Sequence, residues 1–136
     1  MTGIDTNVIV RYITQDGNEV PAATAFIESK ISEESPGYIC LVVLCELIWV
    51  LRRAYRYDRT SVCRIIEKLL SVRELVIERE EAAWEALQQY SEGSADFSDY
   101  LIVHIHAANG ADTTVTFDRK ASEAPQFTLL ESPKSK

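Results

Sequence analysis

Tyr38-Ile-Cys-Leu-Val-Val-Leu-Cys-Glu-Leu-Ile-Trp-Val-Leu-Arg-Arg-Ala-Tyr-Arg-Tyr57 runs without a break from an aromatic and β-branched opening into a longer apolar segment ending in arginines. Tyr38–Val42 suits a strand, because such side chains fit a pleated, half-buried surface. Val43–Tyr57 suits a helix, with cations placed where the helix C-terminus favours them. A strand feeding directly into a helix is the repeating unit of an α/β protein. Inside Leu41–Leu51 every residue is apolar except Glu46. An ionised carboxylate in such surroundings is costly unless it is paired or bound to a metal. The plainer alternative for Glu46 is an ion pair with Arg53 on the same helix face.

The same alternation extends outward on both sides. Thr2–Asp5 reads as a short strand leading into a helix over about Val8–Thr14. Pro21 suits the first turn of a second helix, which Pro36-Gly37 stops. Thr60–Val72 places Val62, Ile65, Ile66, Leu69 and Leu70 on one helical stripe. Leu75–Glu78 is a strand, Glu80–Tyr90 a helix, and Asp96–Asn109 a helix that meets Gly110 as its C′ residue. Thr113–Phe117 and Phe127–Leu130 complete the pattern as strands. The expected architecture is α/β, a parallel central sheet of about four to five strands with helices on both faces. Residues 1–131 form the expected single domain, and 132–136 have the composition of a frayed tail.

With 136 residues the chain is long enough for one real core and too short for two. No apolar run approaches the roughly 20 residues of a membrane-spanning helix, and the N-terminus has no signal-peptide pattern. A cytoplasmic protein is expected. Cys40, Cys45 and Cys63 are odd in number and lack zinc-knuckle spacing, so they read as small apolar residues in a reducing compartment. A net charge of −7 argues against gripping nucleic acid with the whole surface. Seven cations nevertheless lie between Arg52 and Arg73 against only Asp58 and Glu67, a basic stripe that would guide a phosphate backbone only if it lies beside an active site.

Ligands of an open parallel α/β sheet bind where strands end and helices begin. That rule selects Asp5 at the end of the first strand, Glu46 one turn into the central helix, and Asp118 ending Thr113–Asp118. It also selects Asp96 and Asp99, three apart and therefore on one helix face. Each has a structural alternative. Asp5 is a potential helix cap, although Thr6 or Asn7 is better placed for it. Asp96 and Asp99 match the spacing of a capping box, and Asp118 suits a turn. If the acids converge, mutual repulsion raises their pKa values and a cation reverses the shift. Oxygen-only ligands suit Mg²⁺ or Mn²⁺, ions that assist phosphodiester hydrolysis.

These segments resemble a known family. Gly3-Ile-Asp-Thr-Asn-Val-Ile-Val-Arg-Tyr12 resembles the opening motif of PIN-domain nucleases, and Val43–Leu51 resembles the segment bearing their second acid. Ala95-Asp-Phe-Ser-Asp-Tyr-Leu-Ile102 resembles their third motif and Thr116-Phe-Asp-Arg-Lys120 their fourth. The four occur in family order, and the subtype resembles the VapC toxins of toxin–antitoxin modules. The resemblance implies catalytic and metal-holding roles for Asp5, Glu46, Asp99 and Asp118, an additional acid in Asp96, and polar support from Thr6 and Thr116. An extended strand reaching Asp118 would put Thr116 on the same side. The family implies cleavage of single-stranded RNA to 5′-phosphate and 3′-hydroxyl ends, inhibition by a small antitoxin protein, and a homodimer. One departure is Cys40-Leu-Val-Val, where the family carries a Ser or Thr, which puts a hydroxyl contact there in doubt.

Trp49 and Arg53 follow Glu46 on its helix; a tryptophan there is most often a core residue, but this face is also a candidate for RNA or antitoxin contact. His106 shares a face with Asp99 but lies about 10 Å further along the helix, so it and His104 read as packing or surface residues. A haloacid-dehalogenase-type phosphatase needs an Asp two residues after its nucleophile, where this chain has Asn7. A catalytically silent PIN-like binding module is the other rival. It is disfavoured because all four acids are kept.

Overall fold

A computed structural model describes residues 1–133, so 134–136 of the expected tail lie outside the described residues. The chain divides into two compact units, residues 1–80 and 81 onward.

The first unit is built on a three-stranded parallel sheet in the order β1-β2-β3, formed by Thr2–Gly3, Gly37–Ile39 and Leu75–Ile77. The central strand β2 gives Ile39 no exposure at all. Between the strands run α1 (Thr6–Thr14), α2 (Val20–Ser29), α3 (Leu41–Arg53) and α4 (Arg59–Leu70). Ile9, Leu44, Leu47, Leu51, Val62 and Ile66 are buried almost completely, and α1 packs on both α2 and α3.

Most boundaries differ from the sequence reading by a few residues, and two of the differences have a clear cause. Helix α2 ends at Ser29, well before Pro36, and Ser32 to Ser35 close a turn through Ser32 N–H to Ser35 C=O. Strand β2 stops at Ile39, so α3 begins at Leu41 rather than Val43. An unbroken apolar run carries no mark of where extended backbone becomes helical. Cys40 is the N-cap of α3 and makes no side-chain cap bond. The carboxylate of Glu78, just past β3, accepts the Leu41 N–H at 2.9 Å instead. The first turn of α3 is thus satisfied from a distant segment, as orphan helix donors require.

The second unit contains α5 (Glu80–Glu92), α6 (Phe97–Ala108), β4 (Thr114–Thr116), a 3₁₀ turn at Ala121–Glu123 and β5 (Phe127–Leu129). The turn has no counterpart in the sequence reading. Strands β4 and β5 pair in parallel, so the five strands fall into ladders of three and two. Phe97 is 2% exposed and meets Tyr90 edge to face, with ring centroids 6.1 Å apart. Gly110 follows α6 with φ +92°, and the N–H groups of Gly110 and Ala111 return to the carbonyls of Ala107 and His106. That is a Schellman closure, which favours a residue free of a Cβ. No helix among the described residues is long and apolar enough to cross a membrane.

Candidate active site

Asp5 stands between β1 and α1 in extended conformation and is itself the N-cap of α1. Its Oδ1 accepts the Thr6 N–H at 2.8 Å. The expectation that Thr6 or Asn7 would cap better is therefore corrected: the chain turns helical one residue earlier, leaving Thr6 inside the helix. Thr6 is buried, and its hydroxyl donates to Glu46 Oε1 at 3.2 Å. One threonine thus orients two carboxylates, one through its backbone and one through its side chain. Asp5 Oδ2 and Glu46 Oε2 have no partner among the described residues.

Glu46 is exposed, contrary to the expectation of an apolar environment. Helix α3 turns Leu44, Leu47, Ile48 and Leu51 inward and leaves Val42, Glu46, Trp49 and Arg53 outward. Val42 and Trp49 are 69% and 60% exposed, so apolar sequence did not mean buried face. Among the described residues no ion pair joins Glu46 to Arg53. Asp5, Thr6 and Glu46 line one groove of about 640 Å³, together with Arg11, Asp16 and Tyr55.

The second unit holds the other acids. Asp96 is the N-cap of α6, and its N–H donates to Asp99 Oδ2 at 3.1 Å, the reach-back half of a capping box. Burial raises the pKa of Asp99 above its ordinary value. The Asp96 N–H opposes that rise, while the charges of Asp96 and Asp118 add to it. Asp118 lies beyond β4, which ends at Thr116, so the two do not share a strand face. The Thr116 hydroxyl instead accepts the Asp118 N–H at 3.0 Å. Asp118 Oδ1 accepts from Lys120 and Ala121 N–H at 2.9 and 3.3 Å, opening the 3₁₀ turn. Of the histidines, His104 is half-buried and His106 is exposed. His104 is held between Glu85 and Gln89, and His106 by Thr114.

The structure therefore gathers Asp5, Thr6 and Glu46 in one unit and Asp96, Asp99, Thr116 and Asp118 in the other. Among the described residues no three His, Cys, Asp or Glu side chains stand close enough to form a ready-made metal set. The donor chemistry still fits a hard dication. Mg²⁺ keeps several waters and is commonly held by one or two carboxylates, such as the pair that Thr6 orients. Asp16, Arg11 and Tyr55 were not candidates in the sequence reading, although Arg11 lies within the first motif.

A raised Asp99 pKa has a definite sign. The folded protein binds this proton more tightly than the unfolded chain does, so ionisation costs stability as pH climbs from the ordinary carboxylate range through the raised value. Asp99→Asn keeps an acceptor for the Asp96 N–H and removes the cost. In chelator it should melt above the parent at neutral pH, and the gap should close toward about pH 4. Melting curves at several pH values decide, and a variant below the parent throughout refutes the account.

Residues 4–126 match the family model of the PIN domain, and the chain belongs to that family. It is 22% identical over 117 residues to a VapC ribonuclease of Aquifex aeolicus (strain VF5), covering 86% of this chain and 87% of that one. No solved structure matches.

Proposed function

We propose that this protein is a divalent-metal-dependent endoribonuclease and the toxin of a toxin–antitoxin pair. The observation that carries the reading is the Asp5–Thr6–Glu46 arrangement at a groove, in a chain of the PIN family. Likeness to a protein named VapC ribonuclease supports RNA as substrate. The family model runs through both units, which supports one nuclease domain over residues 1–131 served by Asp5, Glu46, Asp99 and Asp118, with Asp96 in addition.

In this reading Asp5 and Glu46, both oriented by Thr6, would hold Mg²⁺ or Mn²⁺. When bound, the cation supplies an activated water and stabilises charge on the phosphodiester. Thr6 fixes both carboxylates before substrate arrives. Asp118 is fixed by two backbone N–H groups, and Asp99 by one. A small antitoxin and a second copy of the chain are the proposed protein partners, and the exposed Trp49 and Arg53 on α3 are surface offered to RNA or antitoxin. The compartment is proposed to be the cytoplasm.

Purified protein should cut single-stranded RNA to 5′-phosphate and 3′-hydroxyl ends. Chelator should stop the reaction, and Mg²⁺ or Mn²⁺, but not monovalent salt, should restore it. Sequencing the RNA ends checks the products. Undiminished cleavage in chelator refutes the metal requirement, while no cleavage of any RNA with the metals present favours the silent binding module.

A further inference from the structure

The groove beside Asp5 and Glu46 presents an electrostatic difficulty to a polyanion. Its described lining carries the carboxylates of Asp5, Asp16 and Glu46 against a single cation, Arg11. That guanidinium is not neutralised by any of the three. Its Nε lies 3.5 Å from Glu19 Oε1, and its Nη1 donates to the Tyr55 hydroxyl at 3.1 Å. The same hydroxyl donates to Asp16 Oδ2 at 2.8 Å, so its proton is committed and its lone pair is turned to Arg11. Two anchors, on Glu19 and on Tyr55, set the orientation of the guanidinium plane.

Of the five N–H donors of a guanidinium, two are used, and three have no partner among the described residues. The side chain is 31% exposed, enough to be reached and shielded enough to be held. An oriented fork with free donors is matched to phosphate, which accepts two parallel N–H bonds. Arg11 lies six residues after Asp5, about 9 Å along the axis of α1, so it addresses a neighbouring phosphate rather than the one beside the acids.

We propose that Arg11 binds a non-scissile phosphate of the RNA strand, with Tyr55 and Asp16 as its positioning residues. This inference rests on the ribonuclease reading and assigns it a binding residue. Cleavage itself does not require the contact, so its loss appears in KM more than in kcat.

The test uses the full chain in an Asp5→Asn background and measures binding of a labelled single-stranded RNA by fluorescence anisotropy over a range of salt. Adding Arg11→Gln should flatten the dependence of log affinity on log salt by about 0.7, the loss of one phosphate contact to a single strand. Affinity at low salt should fall on the order of tenfold, as for a hydrogen-bonded charge. Arg11→Lys should keep the slope. In the cleaving protein, Tyr55→Phe should raise KM roughly threefold, by loss of one hydrogen bond, with kcat unchanged. It also serves as the test if Arg11→Gln fails to fold. Unchanged slope and affinity in Arg11→Gln, or unchanged KM in Tyr55→Phe, overturns the inference while the nuclease reading stands. Loss of antitoxin inhibition with RNA binding intact also overturns it and assigns Arg11 to the protein partner. A parent that neither binds nor cuts RNA overturns the nuclease reading itself.

Discussion

Asp5→Asn should abolish RNA cleavage and leave the metal-free protein as stable as the parent. Asn keeps the side-chain oxygen that accepts the Thr6 N–H, and Asn and Asp are nearly equal as N-caps, so the cost to α1 stays within a few tenths of a kcal/mol. Activity should fall beyond the roughly 10–100-fold that changes in outer-shell partners cost, because a proposed direct ligand is lost. Mn²⁺ should raise the melting temperature of the parent and leave the variant where it was, since a ligand specific to the folded state stabilises by mass action. Asp118→Asn should behave alike, its oxygen still accepting from Lys120 and Ala121. Glu46→Gln should follow, because Thr6 can donate to the amide oxygen. The measurement is thermal melting in chelator and in Mn²⁺ beside cleavage of total RNA. If Asp5→Asn or Asp118→Asn melts well below the parent in chelator, these acids are structural caps and nothing more.

Phe97→Ala should be the most destabilising single change in the second unit. The ring is 2% exposed, meets Tyr90 edge to face, and sits directly after the cap residue Asp96. Removing it costs the transfer energy of the ring and leaves a cavity, together about 3–5 kcal/mol. For a chain of this length that is a fall in melting temperature on the order of 10 °C or more. Calorimetry in chelator reads the effect, with Phe97→Leu expected to recover most of it. A loss under about 1 kcal/mol would mean that the site collapses without a void. Because Phe97 opens the helix that carries Asp99, the alanine variant should also weaken the response to Mn²⁺.

The order of strands and helices was legible because apolar periodicity reports which faces pack. The lost boundaries are those where periodicity says nothing. The passage from Ile39 to Leu41 lies inside one apolar run, and the five residues from Ser32 to Pro36 form a turn that composition does not separate from the helix before it. Asp5, Glu46, Asp96, Asp99 and Asp118 were legible as candidates, but their surroundings were not, and Asp16 on the groove was missed. Glu46 lies among apolar neighbours in sequence and on an exposed face in space, because Val42 and Trp49 are apolar residues left outside. Asp5 and Asp96 do cap helices, a role that does not conflict with holding a cation, since a carboxylate has oxygens for both. The link from Thr6 to Glu46 spans 40 positions and that from Arg11 to Tyr55 spans 44, and no local pattern encodes either.

The bond between Glu78 and the Leu41 N–H also bears on how the protein is made. The ribosome adds roughly 5–20 residues per second, so Glu78 joins the chain seconds after Leu41, 37 positions earlier. Until then the first turn of α3 has only water for that N–H, and β2 lacks its neighbour β3. Glu46 has been polymerised by that stage, on a helix whose first turn still lacks this bond. The helix that carries Glu46 therefore gains the partner of its Leu41 N–H only after the helix itself has been translated, and from a residue outside it.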